Sequence, residues 1–259
     1  MFSFFKKKEL LVESEPKVPT YEDYRDVTPI AEYFKHETGV TFDKQISILT
    51  NKVKTFCINH QINSFLELLK IVKQEPKLKQ ELIDHLTTNE TFFYRELAQI
   101  NELVSLAKKT SRHVEILCAP CATGEEPYSI AIALLEAGVL SSQFSILGID
   151  INSEALKKAR EAKYRQRSVR NLSPEVISKY FTLTDERYFL NSTVTSLVRF
   201  ELINLFDDSF KTIGKFDFIM SRNMLIYFDK ETKLKAKEIL QNLRKDDAHD
   251  VFFGHADLF

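Results

Sequence analysis

The chain lacks the features that mark several common classes of protein. Its three cysteines, Cys57, Cys118 and Cys121, are too few for a secreted disulfide scaffold and favour a reducing compartment. No run approaches the roughly 20 apolar residues that a membrane-spanning helix needs. At the N-terminus, charges follow the short apolar patch, the reverse of a signal peptide. A net charge of −1 argues against a broad nucleic-acid or anionic-membrane surface. We therefore expect a globular cytoplasmic protein without membrane insertion or nucleic-acid binding.

Glycine is also scarce, with 6 residues in the chain, and this matters most in one loop. An apolar run ends at Leu117, a small-residue loop spans 119–124, and a helix is predicted from Glu125. Such a junction lets a ligand approach main-chain N–H groups. Only Gly124 is present, so a G-x-G-x-x-G dinucleotide fingerprint is absent. Glu125 and Glu126 disfavour a phosphate and suit a cationic or hydroxyl-bearing ligand, unless they only complement the helix dipole.

Two patterns divide the chain. Residues 1–20 predict a loose tail, and residues 21–86 predict four short helices in a small all-α domain. From residue 87 to residue 259, strands alternate with helices, which predicts an α/β fold with a parallel sheet. Between Arg165 and Thr195 the pattern favours a short helix plus a small hairpin. The predicted strands are 114–117, 144–150, 198–205, 216–220 and 251–253, and the predicted helices of this part are 125–137, 152–164, 174–181 and 230–243.

Asp150 ends the second predicted strand. A carboxylate there commonly accepts hydrogen bonds from both hydroxyls of a ribose; the alternative is a cap for the next helix. A nucleoside without pyrophosphate fits this pattern best, and adenosine with a sulfonium side chain, S-adenosylmethionine, has that chemistry.

Two further segments carry polar groups toward the same edge of the sheet. Residues 87–96 interleave Asn89, Thr91 and Arg95 with aromatic residues, and the alternative is a capped helix with a buried aromatic face. Residues 221–229 follow the predicted strand 216–220. Tyr227 in this segment is either a hydroxyl near the reacting centre or a core aromatic.

Two features have competing interpretations. Cys118 and Cys121 form C-x-x-C without a second such pair or a nearby histidine pair, so we favour packing over a metal or redox role. Exposed lysines of the helical part form either a solvated face or a docking surface for an acidic partner; they include Lys44, Lys52, Lys54, Lys70, Lys73, Lys77 and Lys79.

Four segments in order resemble the CheR family of chemotaxis receptor glutamate methyltransferases: TTNETFFYRE, TGEEPYSIAI, GIDINSEALKKAREAKY and SRNMLIYFD. The similarity runs from about Tyr21 to the end. It implies a small helical domain joined to a Rossmann-like class I methyltransferase domain with a small β-subdomain at about 182–197. It further implies S-adenosylmethionine as cofactor and the cytoplasmic domains of chemoreceptors as partners, and we expect a monomer.

The resemblance also implies roles for individual residues. Glu125 and Asp150 would bind the methionine and ribose portions of the cofactor, and Arg95 and Tyr227 would lie beside the transferred methyl group. The remaining residues implied to contact the cofactor are Asn89, Thr91, Asn204, Leu205, Ser221 and Arg222, with Arg95 contacting it as well.

The sequence departs from the family pattern in three places. Pro120-Cys121-Ala122 replaces the usual small residue and Ser before Thr-Gly, the insert after Phe181 is short and lacks glycine, and the chain stops at Phe259 where relatives add a strand. Because the glycine-bearing loop is typical of members that tether to a receptor's C-terminal pentapeptide, we expect no such tethering. Rival functions are a methyltransferase for RNA or a small molecule, and a domain that binds S-adenosylmethionine without turnover.

Overall fold

The computed structural model describes residues 22–43, 45–246 and 248–257, so the predicted tail and Lys44 lie outside the described residues. The first part is helical: α1 (Thr28–Thr38), α2 (Ile46–Asn59), α3 (Phe65–Val72) and α4 (Pro76–Leu86). The buried faces of these helices share a core that includes Phe34, Leu49 and Leu68. The predicted helical region is confirmed.

Local chemistry sets the ends of these helices. α1 ends at Gly39, whose φ of 75° is a left-handed conformation that glycine adopts readily. The Ser64 hydroxyl accepts a hydrogen bond from the N–H of Glu67 at 3.1 Å, and the Glu67 carboxylate accepts one from the N–H of Asn63 at 2.8 Å. These bonds satisfy donors that the start of α3 would otherwise leave unpaired.

The second part is built on a parallel sheet of order β6-β2-β1-β7-β8. β1 is in register with β2 on one side and with β7 on the other, so that Ile116 lies between Ile146 and Phe218. The predicted α/β class is confirmed. The strands are β1 (Val114–Cys118), β2 (Phe144–Asp150), β3 (Lys163–Tyr164), β4 (Phe181–Thr184), β5 (Arg187–Leu190), β6 (Val198–Leu202), β7 (Phe218–Ser221) and β8 (Phe252–Phe253). The helices are α5 (Leu97–Ala107), α6 (Glu125–Glu136), α7 (Ser153–Glu161), α8 (Gln166–Val169), α9 (Pro174–Tyr180), α10 (Ser192–Thr195) and α11 (Lys230–Gln241).

The small β-subdomain differs in detail from the prediction. The helix predicted to run through Tyr164 ends at Glu161, because Ala162 turns to a φ of 48°. The next two residues form β3, which pairs with β5 in an antiparallel sheet of order β3-β5-β4. This sheet therefore takes one strand from before the predicted insert. The structure also contains α5, which was not predicted.

The helical region and the sheet region meet through specific hydrogen bonds. The Asp84 carboxylate of α4 accepts bonds from the N–H of Ser153 at 2.7 Å and from its hydroxyl at 2.5 Å. The Asn204 side-chain amide donates to the carbonyl of Glu37 at 2.6 Å. These bonds hold the helical region over the carboxyl edge of the parallel sheet.

Candidate active site

A cleft lies where the helical region faces the carboxyl edge of the parallel sheet. Its sheet side comes from the segments after β1, β2, β6 and β7, and its other side comes from α2 and the segment between α1 and α2. Of the residues predicted to form the site, the cleft is lined by Asn89, Asp150, Asn204, Leu205 and Tyr227. Ligands of parallel α/β sheets bind at this edge.

The small-residue loop after β1 is hydrogen-bonded to the end of β2. The N–H of Cys121 donates to the carbonyl of Ile149 at 2.8 Å, and the N–H of Ala122 donates to Oδ2 of Asp150 at 2.8 Å. Ala122 has a φ of 48°, a left-handed conformation that is uncommon outside glycine. A Cβ at Gly124 would lie 3.0 Å from Cβ of Ala159, so this glycine permits the close packing of α6 against α7.

Asp150 is buried yet lines the cleft. Its Oδ1 accepts a second main-chain bond from Asn152 at 2.9 Å. Burial raises the pKa of Asp150 to about 6, while the N–H groups of Asn152 and Ala122 act in the opposite direction. Since a carboxylate has about four lone-pair positions, each oxygen keeps capacity for a ligand hydroxyl. The alternative role, a helix cap, falls to Asn152, whose side chain accepts from the N–H of Ala155 at 2.7 Å.

Glu125 is buried at the start of α6 and does not line the cleft. Its carboxylate accepts hydrogen bonds from the hydroxyls of Thr123, at 2.6 Å, and Ser168, at 3.1 Å. Burial raises its pKa, and the two hydroxyls oppose this shift. Contact with the methionine portion of a cofactor remains a prediction for this residue.

Arg222 and Ser221 are also buried behind the cleft. The guanidinium of Arg222 pairs with the carboxylate of Glu126 and donates to the carbonyl of Arg95 at 2.7 Å. Ser221 Oγ has no hydrogen-bond partner among the described residues. Neither side chain lines the cleft, so a cofactor contact of Ser221 or Arg222 remains a prediction.

Arg95, in the segment before α5, does not line the cleft, and its contacts with the cofactor and the methyl group remain predictions. Arg95 donates to the carbonyl of Glu90 at 3.2 Å. Burial raises the pKa of the Tyr227 hydroxyl, and the nearby positive charge of Arg95 acts to lower it. Thr91, although part of the same segment, does not line the cleft, and its cofactor contact remains a prediction.

Several residues at the site were not predicted. The helical region contributes apolar lining, including Val40, Phe42 and Ile48. Asp257 accepts hydrogen bonds from the N–H groups of Asn223 at 2.5 Å and Leu225 at 2.8 Å, which fixes the turn that carries Tyr227. No local pattern in the sequence pairs residue 257 with residue 223, because the contact depends on the fold.

The C-x-x-C pair is buried in the structure. Cys118 and Cys121 are free and buried, and burial raises both pKa values well above the usual value. The described ranges contain no cluster of His, Cys, Asp and Glu side chains that could hold a metal. The same ranges contain no helix long and apolar enough to cross a membrane.

A family model and several curated relatives identify the family of the chain. Residues 89–259 match the family described as "CheR methyltransferase, SAM binding domain". A "Chemotaxis protein methyltransferase" of Campylobacter jejuni is 39% identical over 222 residues, which cover 85% of this chain and 84% of that protein. "Chemotaxis protein methyltransferase 2" of Vibrio cholerae is 32% identical over 246 residues, which cover 90% and 85% of the two chains. The Escherichia coli "Chemotaxis protein methyltransferase" is 34% identical over 185 residues, 70% of this chain and 64% of that one.

The cleft also fits the cofactor of this family. A buried carboxylate with spare lone pairs, Asp150, meets apolar side chains such as Ile151 and Leu205 in one cleft, which suits the ribose and the base of a nucleoside. The fold, the cleft and the family match lead to one assignment. The chain belongs to the CheR methyltransferase family and is an S-adenosylmethionine-dependent methyltransferase.

Proposed function

We propose that the chain methylates glutamate side chains on the cytoplasmic domains of chemoreceptors and so serves chemotactic adaptation. The observation that carries the proposal is that Tyr227 and Asp150 line the same cleft, with the positive charge of Arg95 near enough to act on the pKa of the Tyr227 hydroxyl. The names of its relatives, chemotaxis protein methyltransferases, support the biological context.

Methylation of a carboxylate needs little catalytic machinery. Glutamate has an ordinary pKa of about 4.3, so the nucleophile is already ionised at neutral pH and needs no general base. S-adenosylmethionine supplies the methyl group, which a carboxylate oxygen accepts as the carbon–sulfur bond breaks. The tasks left to the protein are to hold the acceptor in line and to exclude water.

Arg95 and Tyr227 are suited to orient the acceptor carboxylate. The guanidinium of Arg95 carries a permanent charge and offers several donors in one plane. Because burial raises the pKa of Tyr227, its hydroxyl stays protonated and can donate to the oxygen that does not attack. A tight grip by Arg95 would stabilise the ground state, so an orienting contact serves the rate better.

The receptor approaches along the helical region in this proposal. Lys52 of α2 lines the cleft and donates to the carbonyl of Leu86 at 3.3 Å. Lys77 and Lys79 face carboxylates of the same region, Glu81 and Glu37. Lys52 is therefore the lysine best situated to meet an acidic receptor segment near the reacting centre.

Binding is proposed to be independent of the receptor's C-terminal pentapeptide. β4 and β5 are joined through Asp185 and Glu186, with φ of 48° and 57°, so the connection is a tight turn without the longer glycine-bearing loop. Receptors with and without their last five residues should be methylated at equal rates. Loss of methylation after the truncation would contradict this part of the proposal.

We further propose that the enzyme acts in the cytoplasm as a monomer.

Peptide mass spectrometry of the product tests the proposed substrate. The chain is incubated with S-adenosylmethionine and receptor-bearing membranes, and the modified residues are located by peptide fragmentation. The proposal predicts methyl esters on glutamate side chains of the receptor. Methyl groups on RNA or on a small molecule instead, or cofactor binding without any transfer, would contradict it.

A further inference from the structure

We infer that Arg222 and Glu126 position Arg95 for methyl transfer and do not hold the cofactor. The inference rests on the proposed function, because it takes Arg95 as the residue that orients the acceptor carboxylate. It differs from the family resemblance, which gives Arg222 a cofactor contact and Glu126 no role.

The loop that carries Arg95, residues 90–96, has a strained backbone. Tyr94 and Glu96, on either side of Arg95, have φ of 55° and 50°. Left-handed conformations cost a residue with a side chain about 1–2 kcal/mol. The surrounding structure must therefore hold this backbone in place.

Three elements supply that support through hydrogen bonds to consecutive residues. The N–H of Phe93 donates to the carbonyl of Ser168 at 2.9 Å, and the N–H of Tyr94 donates to the hydroxyl of Ser129 at 3.0 Å. The carbonyl of Arg95 accepts from Nη1 of Arg222 at 2.7 Å. The last bond acts on the residue whose side chain the mechanism uses.

Glu126 fixes the guanidinium of Arg222 in turn. Burial alone would lower the pKa of Arg222, but the facing Glu126 carboxylate raises it above its usual value. The side chains of Arg222 and Glu126 are 3% and 11% exposed. A buried ion pair is weak evidence for stability, because desolvation offsets most of the attraction. We assign the ion pair a role in positioning Arg95 instead, because Arg222 also donates to the Arg95 carbonyl.

Arg222→Lys is the main test variant. A lysine keeps a positive charge for Glu126 but lacks the second arm that reaches the carbonyl of Arg95. We expect kcat for receptor methylation to fall about 10- to 100-fold, with the Kd for S-adenosylhomocysteine unchanged. Arg160→Gln is the matched control, because it removes a guanidinium bond of 2.9 Å to the carbonyl of Phe200, away from the loop; its kcat should match that of the wild type.

A double-mutant cycle separates positioning from direct cofactor contact. In an Arg95→Ala background, adding Arg222→Lys should cause no further loss of kcat, because the side chain to be positioned is gone. Independent, multiplicative losses would overturn the inference. So would weaker cofactor binding by Arg222→Lys that persists in the Arg95→Ala background, which would indicate a direct contact.

Hydrogen exchange tests the positioning without any turnover. In Arg222→Lys, amides of residues 92–97 should exchange faster than in the wild type, while amides of β2 should stay protected. Unchanged exchange in residues 92–97 would overturn the inference even if the wild type transferred no methyl to receptors. An inactive wild type with faster exchange in the variant would instead contradict only the proposed function.

Discussion

Asp150 accepts a hydrogen bond from the main-chain N–H of Ala122 at 2.8 Å, which ties the loop after β1 to the end of β2. The same carboxylate accepts from Asn152 at 2.9 Å and lines the cleft. One side chain therefore shapes the loop and keeps acceptor capacity for a ligand hydroxyl. The affinity for the cofactor should therefore depend on the charge of the Asp150 carboxylate.

Affinity for S-adenosylhomocysteine should decrease as the pH falls through about 6, the pKa that burial gives Asp150. A ribose whose hydroxyls donate to the ionised carboxylate would lower this pKa on binding and favour the charged form. Titration calorimetry from about pH 5 to about pH 8 measures the profile.

The same raised pKa of Asp150 means that the folded chain holds this proton more tightly than the unfolded chain. The contribution of Asp150 to stability should therefore decrease as the pH rises from about 4 to about 6.

Asp150→Asn is the control for that profile. Loss of hydrogen bonds to a charged acceptor should weaken binding by about 1.5–3 kcal/mol, roughly ten- to a hundredfold, and the variant should lack the pH dependence. Unchanged affinity in Asp150→Asn would remove the ribose assignment.

Tyr227→Phe should lower kcat by about tenfold and leave the affinity for S-adenosylhomocysteine unchanged, because it removes one hydrogen bond to the acceptor. Burial raises the pKa of Tyr227, so the wild-type hydroxyl should not titrate near neutral pH. Steady-state methylation at saturating cofactor measures the change. A loss of cofactor affinity with kcat preserved would place the hydroxyl against the cofactor instead.

Lys52→Glu should raise the KM for receptor by about tenfold without changing the KM for cofactor. Lys77→Glu is the control, because Lys77 is an exposed lysine of the same helical region that faces Glu81 at 3.9 Å and does not line the cleft. The difference between the two variants should shrink as salt is added. Equal effects of both reversals would indicate a diffuse charge effect and contradict docking at Lys52.

Gly39→Ala should destabilise the contact between the helical region and the sheet region. The added Cβ would clash with Cε2 of Phe206, and Gly39 has a φ of 75°, so overpacking of about 1–3 kcal/mol adds to backbone strain of about 1–2 kcal/mol. Gly138→Ala has a similar φ of 80° but meets nothing within 4 Å, and should show the strain alone. Urea denaturation at equilibrium compares the two variants. Equal losses of unfolding free energy would show that the interface does not depend on Gly39.

Local signals predicted most of the fold. The cap at Ser64, Gly39 at the end of α1 and the apolar run of β2 all act within a few residues. Helical periodicity gave the wrong end for α7, because the pattern continues to Tyr164 although Ala162 turns left-handed. The sequence pattern also did not predict α5, which follows the aromatic segment 87–96. Pairing of β3 with β5 joins residues about 25 apart, and no local pattern encodes such a partner choice.

The site was predictable where a motif lies at a strand end. Asp150 and Tyr227 line the cleft as expected, because both follow strands of the parallel sheet. Residue type alone did not indicate that the Glu125 carboxylate would accept hydrogen bonds from two hydroxyls of its own chain. Nor did it indicate that Arg222 would pair with Glu126, a contact across 96 residues.

The most direct measurement of the central claim is base-labile methyl transfer to receptors. Wild type and Arg95→Ala are incubated with receptor-bearing membranes and S-adenosylmethionine labelled on its methyl group, and the washed membranes are treated with mild base. The account predicts that the wild-type label is released as methanol and that Arg95→Ala incorporates little label. Label that resists base, or equal incorporation by the two proteins, would contradict glutamate ester formation oriented by Arg95.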